Sequence, residues 1–172
     1  MKLEKLDLFS ISAIRHEFLI GESKREKSND ILVIKYSGVY RFGSGGSADA
    51  AFMLALAKAA ISYTDPDGIV LDISELDYQW GDDFEMVFSL GSNSYPAPSK
   101  DEADQESEVL YVERPIPQAT IIGAPCKEAV RTLLLGEYCD PDESLEEFPW
   151  IFENFDDAWN YVEKEITLSH RL

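Results

Sequence analysis

Two cysteines and two histidines are all that the 172 residues offer in thiols and imidazoles. Cys126 and Cys139 match no paired zinc-ligand spacing, and so few cysteines exclude a disulfide-stapled secreted scaffold; the thiols read as those of a cytoplasmic protein. His16 falls in an expected strand and His170 in an expected frayed end, so neither histidine-rich zinc catalysis nor a cysteine–histidine pair is supplied with its parts. No window approaches about 18 uninterrupted apolar residues, and Met1-Lys2-Leu3-Glu4-Lys5 intersperses charge where an export signal carries an apolar core. Neither export nor a membrane span is expected. Basic residues are also scarce: 15 Lys and Arg stand against 33 Asp and Glu, a formal charge of −18 with pI near 4.3. Charge of that sign repels phosphate backbones and anionic lipid surfaces, which leaves basic proteins as better partners than nucleic acid or membrane.

What is present suffices for a core. With 45% hydrophobic residues, the chain reads as one α/β domain over residues 1–172. A β-like pattern over Phe9 to Ile20, a polar break over Gly21 to Asn29 and the apolar run Ile31 to Tyr36 predict a hairpin. A glycine-rich turn then leads into an Ala- and Leu-rich helix from Ala48 to Tyr63, with Ser47 as N-cap and Asp49 in its first turn. The few polar residues of this helix predict heavy burial, under its own sheet or against a second subunit.

Asp65-Pro66-Asp67-Gly68 launches Ile69 to Ile73, a continuous apolar run of the kind found in central parallel strands. A short helix capped by Asp82 or Asp83 is expected up to Leu90, then an acidic inserted loop over residues 91–117 with a strand at Val109 to Val112. Strands at Ala119 to Gly123 and Trp150 to Phe152 and helices over Lys127 to Leu135 and from Asn154 onward complete the order. The helix from Lys127 is expected to stop at a left-handed Gly136. The predicted architecture is α/β, with a mainly parallel central sheet, an N-terminal hairpin and about four helices.

That order resembles the STAS domain family, the modules of anti-sigma-factor antagonists and sulfate-transporter tails. The resemblance covers about residues 30–166 and is carried by Gly38, Asp65 through Asp72, Ile121-Ile122-Gly123 and Phe155-Asp156-Asp157-Ala158. It implies a STAS-like, non-enzymatic module that binds a protein partner at the turn after the central strand. The family's phosphorylated serine turn is replaced by Tyr78-Gln79-Trp80-Gly81-Asp82-Asp83, which holds no Ser or Thr, so binding without the phosphoswitch is implied. Tyr78, Trp80, Asp82 and Asp83 are the candidate partner-binding residues, Trp80 as an aromatic anchor or as a plug beneath the turn. A second resemblance, of Ile69 through Phe84 to the crotonase superfamily, implies an acyl-CoA-binding protein with the Gly81 amide in an oxyanion hole. The second amide of such a site has no counterpart in Ile122 to Lys127.

Three further features complete the candidates. Gly43-Ser44-Gly45-Gly46-Ser47-Ala48 fits a phosphate-cradling spacing but lacks its acidic residue and lysine, and reads as a flexible turn. Cys126 next to Lys127 reads as a packed cysteine. Six acidic residues over 101–113 and nine over 137–157, among them Asp101, Glu102, Asp104, Asp140, Asp142, Glu143, Glu146 and Glu147, form a candidate acidic surface. An immunity- or antitoxin-like inhibitor masking a basic toxin is the alternative function this surface suggests. No EF-hand spacing is present, and no cofactor, catalytic residue or metal site is expected.

Overall fold

Ile31, Leu32, Val33 and Ile34 are all buried, as are Ile69, Val70 and Leu71, because both faces of these two strands are covered. The computed structural model describes residues 7–25, 27–96, 111–136 and 145–169. Its main sheet has five strands in the order β1-β2-β3-β6-β7. They are β1 (Arg15–Glu22), β2 (Asp30–Val39), β3 (Gly68–Asp77), β6 (Gln118–Ile121) and β7 (Ile151–Phe152). Only β1 runs antiparallel to its neighbour; the pairings β2 with β3, β3 with β6 and β6 with β7 are parallel. The two remaining strands, β4 (Ser92–Pro96) and β5 (Tyr111–Pro115), form a separate antiparallel pair.

Helices cover both faces. α1 (Gly46–Thr64), a 3-10 segment (Phe84–Ser89) and α2 (Lys127–Leu135) pack on the face made by Leu32, Ile34, Ile69, Leu71 and Ile73. α3 (Phe155–Ser169) sets Ala158, Val162 and Ile166 on the opposite face, against Ile31, Val33, Val70 and Ala119. The spacing of these α3 residues is that of one helical stripe, and Asn154 accepts from the Asp157 amide at 3.0 Å to cap it.

Several local expectations are corrected. Leu8–Ser10 is a 3-10 turn, and the first strand begins only at Arg15. Ser47 lies inside α1, whose N-cap is Gly45 with no side-chain cap. Nor is α1 heavily buried: Ala51, Ala55, Ala59 and Tyr63 face outward, since alanine favours the helix at exposed positions without any burial. Asp83 precedes the 3-10 segment without capping it, and Gly136 has positive φ but an extended ψ. The expected inserted loop of residues 91–117 carries the β4–β5 pair, so a strand stands near each of its ends and not only near Val112. Residues 97–110, with Val109, lie outside the described residues.

The β1–β2 turn is fastened to α3 by a carboxylate. Glu163 is 2% exposed and accepts from the Ser23 hydroxyl at 3.0 Å and from the Lys24 amide, with Arg25 Nε 3.7 Å away. Burial alone would push this carboxyl up; the Lys24 amide, the Ser23 hydroxyl and the charge of Arg25 more than offset it and hold the carboxyl below the usual range. Glu163→Ala is expected to cost about 2 kcal/mol, as for charged hydrogen bonds. Hydrogen exchange at the amides of Lys24 and Arg25 checks it; unchanged protection there would show that the turn is held by other contacts.

Candidate functional site

β2 and β3 end side by side, with Val39 opposite Asp77, and the two loops that follow build one surface. After β2 come Tyr40, Arg41, Phe42 and Gly43; after β3 come Tyr78 to Asp83. Three hydrogen bonds join these segments: Tyr40 N–H to Asp77 O at 3.0 Å, Asp82 N–H to Gly43 O at 3.1 Å, and the Tyr40 hydroxyl to Asp82 O at 2.6 Å. Beneath them Tyr78 stacks on Phe84 with ring centroids 3.9 Å apart, and Tyr40 meets both rings edge-on. A β-carbon at Gly81 would stand 2.6 Å from Arg41 O and 2.7 Å from the Tyr40 ring, so glycine is needed for the two loops to approach. Asp83 turns the chain in the left-handed region at φ 66°, which aspartate tolerates better than most residues.

On this base the rings of Phe42 and Trp80 lie next to each other, centroids 6.5 Å apart and 66% and 58% exposed. Trp80 rests on the backbone of Gly43. Asp82 is exposed and Asp83 partly so, which gives the aromatic pair an acidic border. Arg41 adds no free positive charge. Its guanidinium donates to both oxygens of Asp49, at 2.7 and 3.0 Å, and its amide donates at 2.9 Å. The Ser12 hydroxyl completes the ring of donors around this 1%-exposed carboxylate. Burial would push Asp49 up; Arg41 and Ser12 outweigh it and hold the carboxyl below the usual range. Burial, with the nearby charge of Glu85, pushes the Tyr78 phenol up to about 12, so it is neutral at all ordinary pH.

Of the four residues expected to bind a partner, the structure brings Trp80, Asp82 and Asp83 to one surface. Tyr78 is buried and presents nothing to a partner, because the sheet alternation carries it into the core beneath the turn. Phe42 and the Arg41–Asp49 pair were not singled out by sequence; their signal is an aromatic just past the end of the neighbouring strand, and an arginine eight residues before an aspartate in a helix's first turn. In the acidic surface, Glu147 is exposed within the 3-10 turn Leu145–Glu147. Asp101, Glu102, Asp104, Asp140, Asp142, Glu143 and the side chain of Glu146 lie outside the described residues.

The other candidates carry no assembled chemistry. The position beside Gly46 is filled by the Tyr40 ring, Arg41 O and the Asp82 amide, so the glycine-rich turn forms no phosphate cradle. Gly81 is buried, with Arg41 O and the Tyr40 ring where a side chain would stand, so this turn is packed closed and forms no open oxyanion site. Cys126 is buried with Sγ 3.4 Å from Ile73 O, and burial pushes its thiol up, away from the thiolate a nucleophile needs. The sheet face left open beside α3 holds a depression of about 270 Å³, where Lys35 lies 3.7 Å from Asp72. Among the described residues no group of three or more His, Cys, Asp or Glu is placed to hold a metal ion, and no helix is long and apolar enough to cross a membrane.

The fold is thus a mixed α/β one, a five-stranded sheet with an antiparallel first strand and helices on both faces. Among solved structures it is similar to an anti-sigma factor antagonist from Mycobacterium paratuberculosis, at 11% identity and a TM-score of 0.49, over 86% of this chain and 94% of that one. No protein-family model matches the chain. No curated protein matches it either.

Proposed function

We propose that this chain is a non-enzymatic regulatory module that binds a protein partner on the strand-end surface of Phe42 and Trp80. The carrying observation is that two large aromatic rings lie exposed side by side on a base of interlocked buried rings. Apolar surface held rigidly at strand-end loops is where binding energy concentrates, and aromatic anchors dominate it. The occupant that fits is a protein segment with an apolar residue for the Phe42–Trp80 pair and a Lys or Arg for Asp82 and Asp83. The net charge of −18 favours the same kind of partner at long range.

For a partner identified by affinity capture and purified, Trp80→Ala is expected to weaken binding about 30-fold, the loss typical of a hot-spot residue. The paired change Asp82→Asn and Asp83→Asn is expected to reduce the dependence of affinity on salt. Calorimetric titration of the full chain reads both, with circular dichroism as the check on folding. Wild-type affinity in a folded Trp80→Ala chain sinks the assignment. The inhibitor reading differs by locating the salt dependence in the acidic segments over residues 101–113 and 137–157, so its retention in the Asp82 and Asp83 variant favours inhibition of a basic toxin.

A further inference from the structure

We propose that β1 is a self-association edge, on which two copies of the chain pair strand to strand, antiparallel, about a two-fold axis at Leu19. β1 is the first strand in the sheet order, and among the described residues nothing pairs with its outer side. It is eight residues long, whereas the opposite edge, β7, has two. The pairing with β2 runs without a register break, and Ser23 N–H donates to Asn29 O where that register continues. Backbone groups of the odd-numbered residues therefore turn to β2, and those of His16, Phe18, Ile20 and Glu22 turn to the free edge. Edge strands are commonly blunted by proline, lysine or a bulge. β1 has none of the three; its charged residues Arg15, Glu17 and Glu22 flank a centre of Phe18-Leu19-Ile20, with Leu19 48% and Ile20 51% exposed.

Symmetry narrows the register. In an antiparallel pair of identical strands, opposite residues must both turn their backbone groups in the same direction, so the axis passes through a residue. An axis at Leu19 places Leu19 opposite Leu19, Phe18 opposite Ile20 and His16 opposite Glu22 of the second copy. An axis at Phe18 sets Glu17 against Leu19, and one at Ile20 sets Phe18 against Glu22. Only the Leu19 register matches apolar with apolar and gives the terminal carboxylate an imidazole.

Charge points to the same flank. Residues 15–35 hold five Lys and Arg against four Asp and Glu, while the chain as a whole is at −18. The hairpin is thus a near-neutral approach to an otherwise strongly acidic molecule. Repulsion from the rest of the chain is screened by salt, so self-association is expected to strengthen as salt is added, opposite to the docking of a basic partner. This edge is separate from the Phe42–Trp80 surface, and neither proposal depends on the other.

Sedimentation equilibrium of the full chain is expected to show twice the chain mass, with a dimer fraction that rises with sodium chloride. The register is read by disulfide capture in a Cys139→Ser background. Leu19 residues at a narrow, non-hydrogen-bonded position stand about 4.5 Å apart between Cα atoms, within disulfide reach. Leu19→Cys is therefore expected to cross-link under mild oxidation at least tenfold faster than Ile20→Cys or the exposed α1 control Tyr63→Cys. Ile20→Lys is expected to return the chain to a monomer; cross-linking decides the question if that variant does not fold. A monomeric mass at every salt concentration, or equal cross-linking at positions 19 and 20, overturns the proposal.

Discussion

Gly123→Ala is expected to lower Tm by about 10 °C, corresponding to about 3 kcal/mol in a chain of this size. Gly123 follows β6 where that strand runs beside β3, and a β-carbon there would stand 2.9 Å from Ser74 C, 3.0 Å from Ser74 Cα, and closer still to Ser74 O. These are backbone atoms of the central strand, so relief requires β3 and β6 to separate. Both are flanked by fully buried side chains, Ile73 and Ile122 among them, and separation would open the core at its centre. Differential scanning calorimetry checks the effect. A loss of less than about 1 kcal/mol would show that the loop after β6 absorbs the methyl without moving the strand.

Arg41→Ala is expected to be comparably costly, about 3 kcal/mol, in the range for leaving a buried carboxylate without its charged partner. The half-exposed arginine gives up little of its own, whereas Asp49, at 1% exposure, loses the guanidinium that offsets its burial. The pH dependence separates this from a simple packing defect. In the wild-type chain the Asp49 pKa is depressed below the unfolded value of 3.8, so its contribution is complete above that pH and is lost as pH falls through the folded pKa. Without Arg41, burial dominates and the folded pKa rises, so the variant is penalised at neutral pH and relieved as Asp49 takes up a proton. The difference in Tm between the two chains is therefore expected to shrink between about pH 7 and pH 3. A constant difference across that range would mean that Asp49 is not what Arg41 holds in place. The same variant leaves residue 41 tied to Asp49 by its amide alone, so it should also weaken partner binding at Phe42.

The central strands β2 and β3 were legible because the runs Ile31 to Ile34 and Ile69 to Ile73 are apolar on both faces. The end of β3 was not legible. Opposite Lys35 and Ser37 of β2 stand Asp72 and Glu75 of β3, so one extra residue is inserted and the alternation is reset. Ile73 and Leu76, three apart, both reach the same core. A period of two breaks there, and the strand reads as finished four residues early. The same reset carries Tyr78 inward, and the turn that follows the end of β3 at Asp77 leaves Trp80 outside, which composition alone leaves undecided. Phe42 was hidden for a different reason: its exposure depends on Tyr40 packing with Tyr78 and Phe84, contacts some forty residues away along the chain. Asp49 looked like a dipole-compensating helix residue, and its true partner is visible only once the turn after β2 folds back on the start of α1.

The link from Glu163 to Ser23 also bears on how the chain is made. The partners are 140 residues apart, so this contact cannot form until α3 has left the ribosome. Until then Ile31, Val33, Val70 and Ala119, the sheet residues that α3 covers, lack that cover. Synthesis at about 5–20 residues per second leaves that face waiting for seconds after β3 has emerged. During that interval these apolar side chains are a surface for a chaperone to engage.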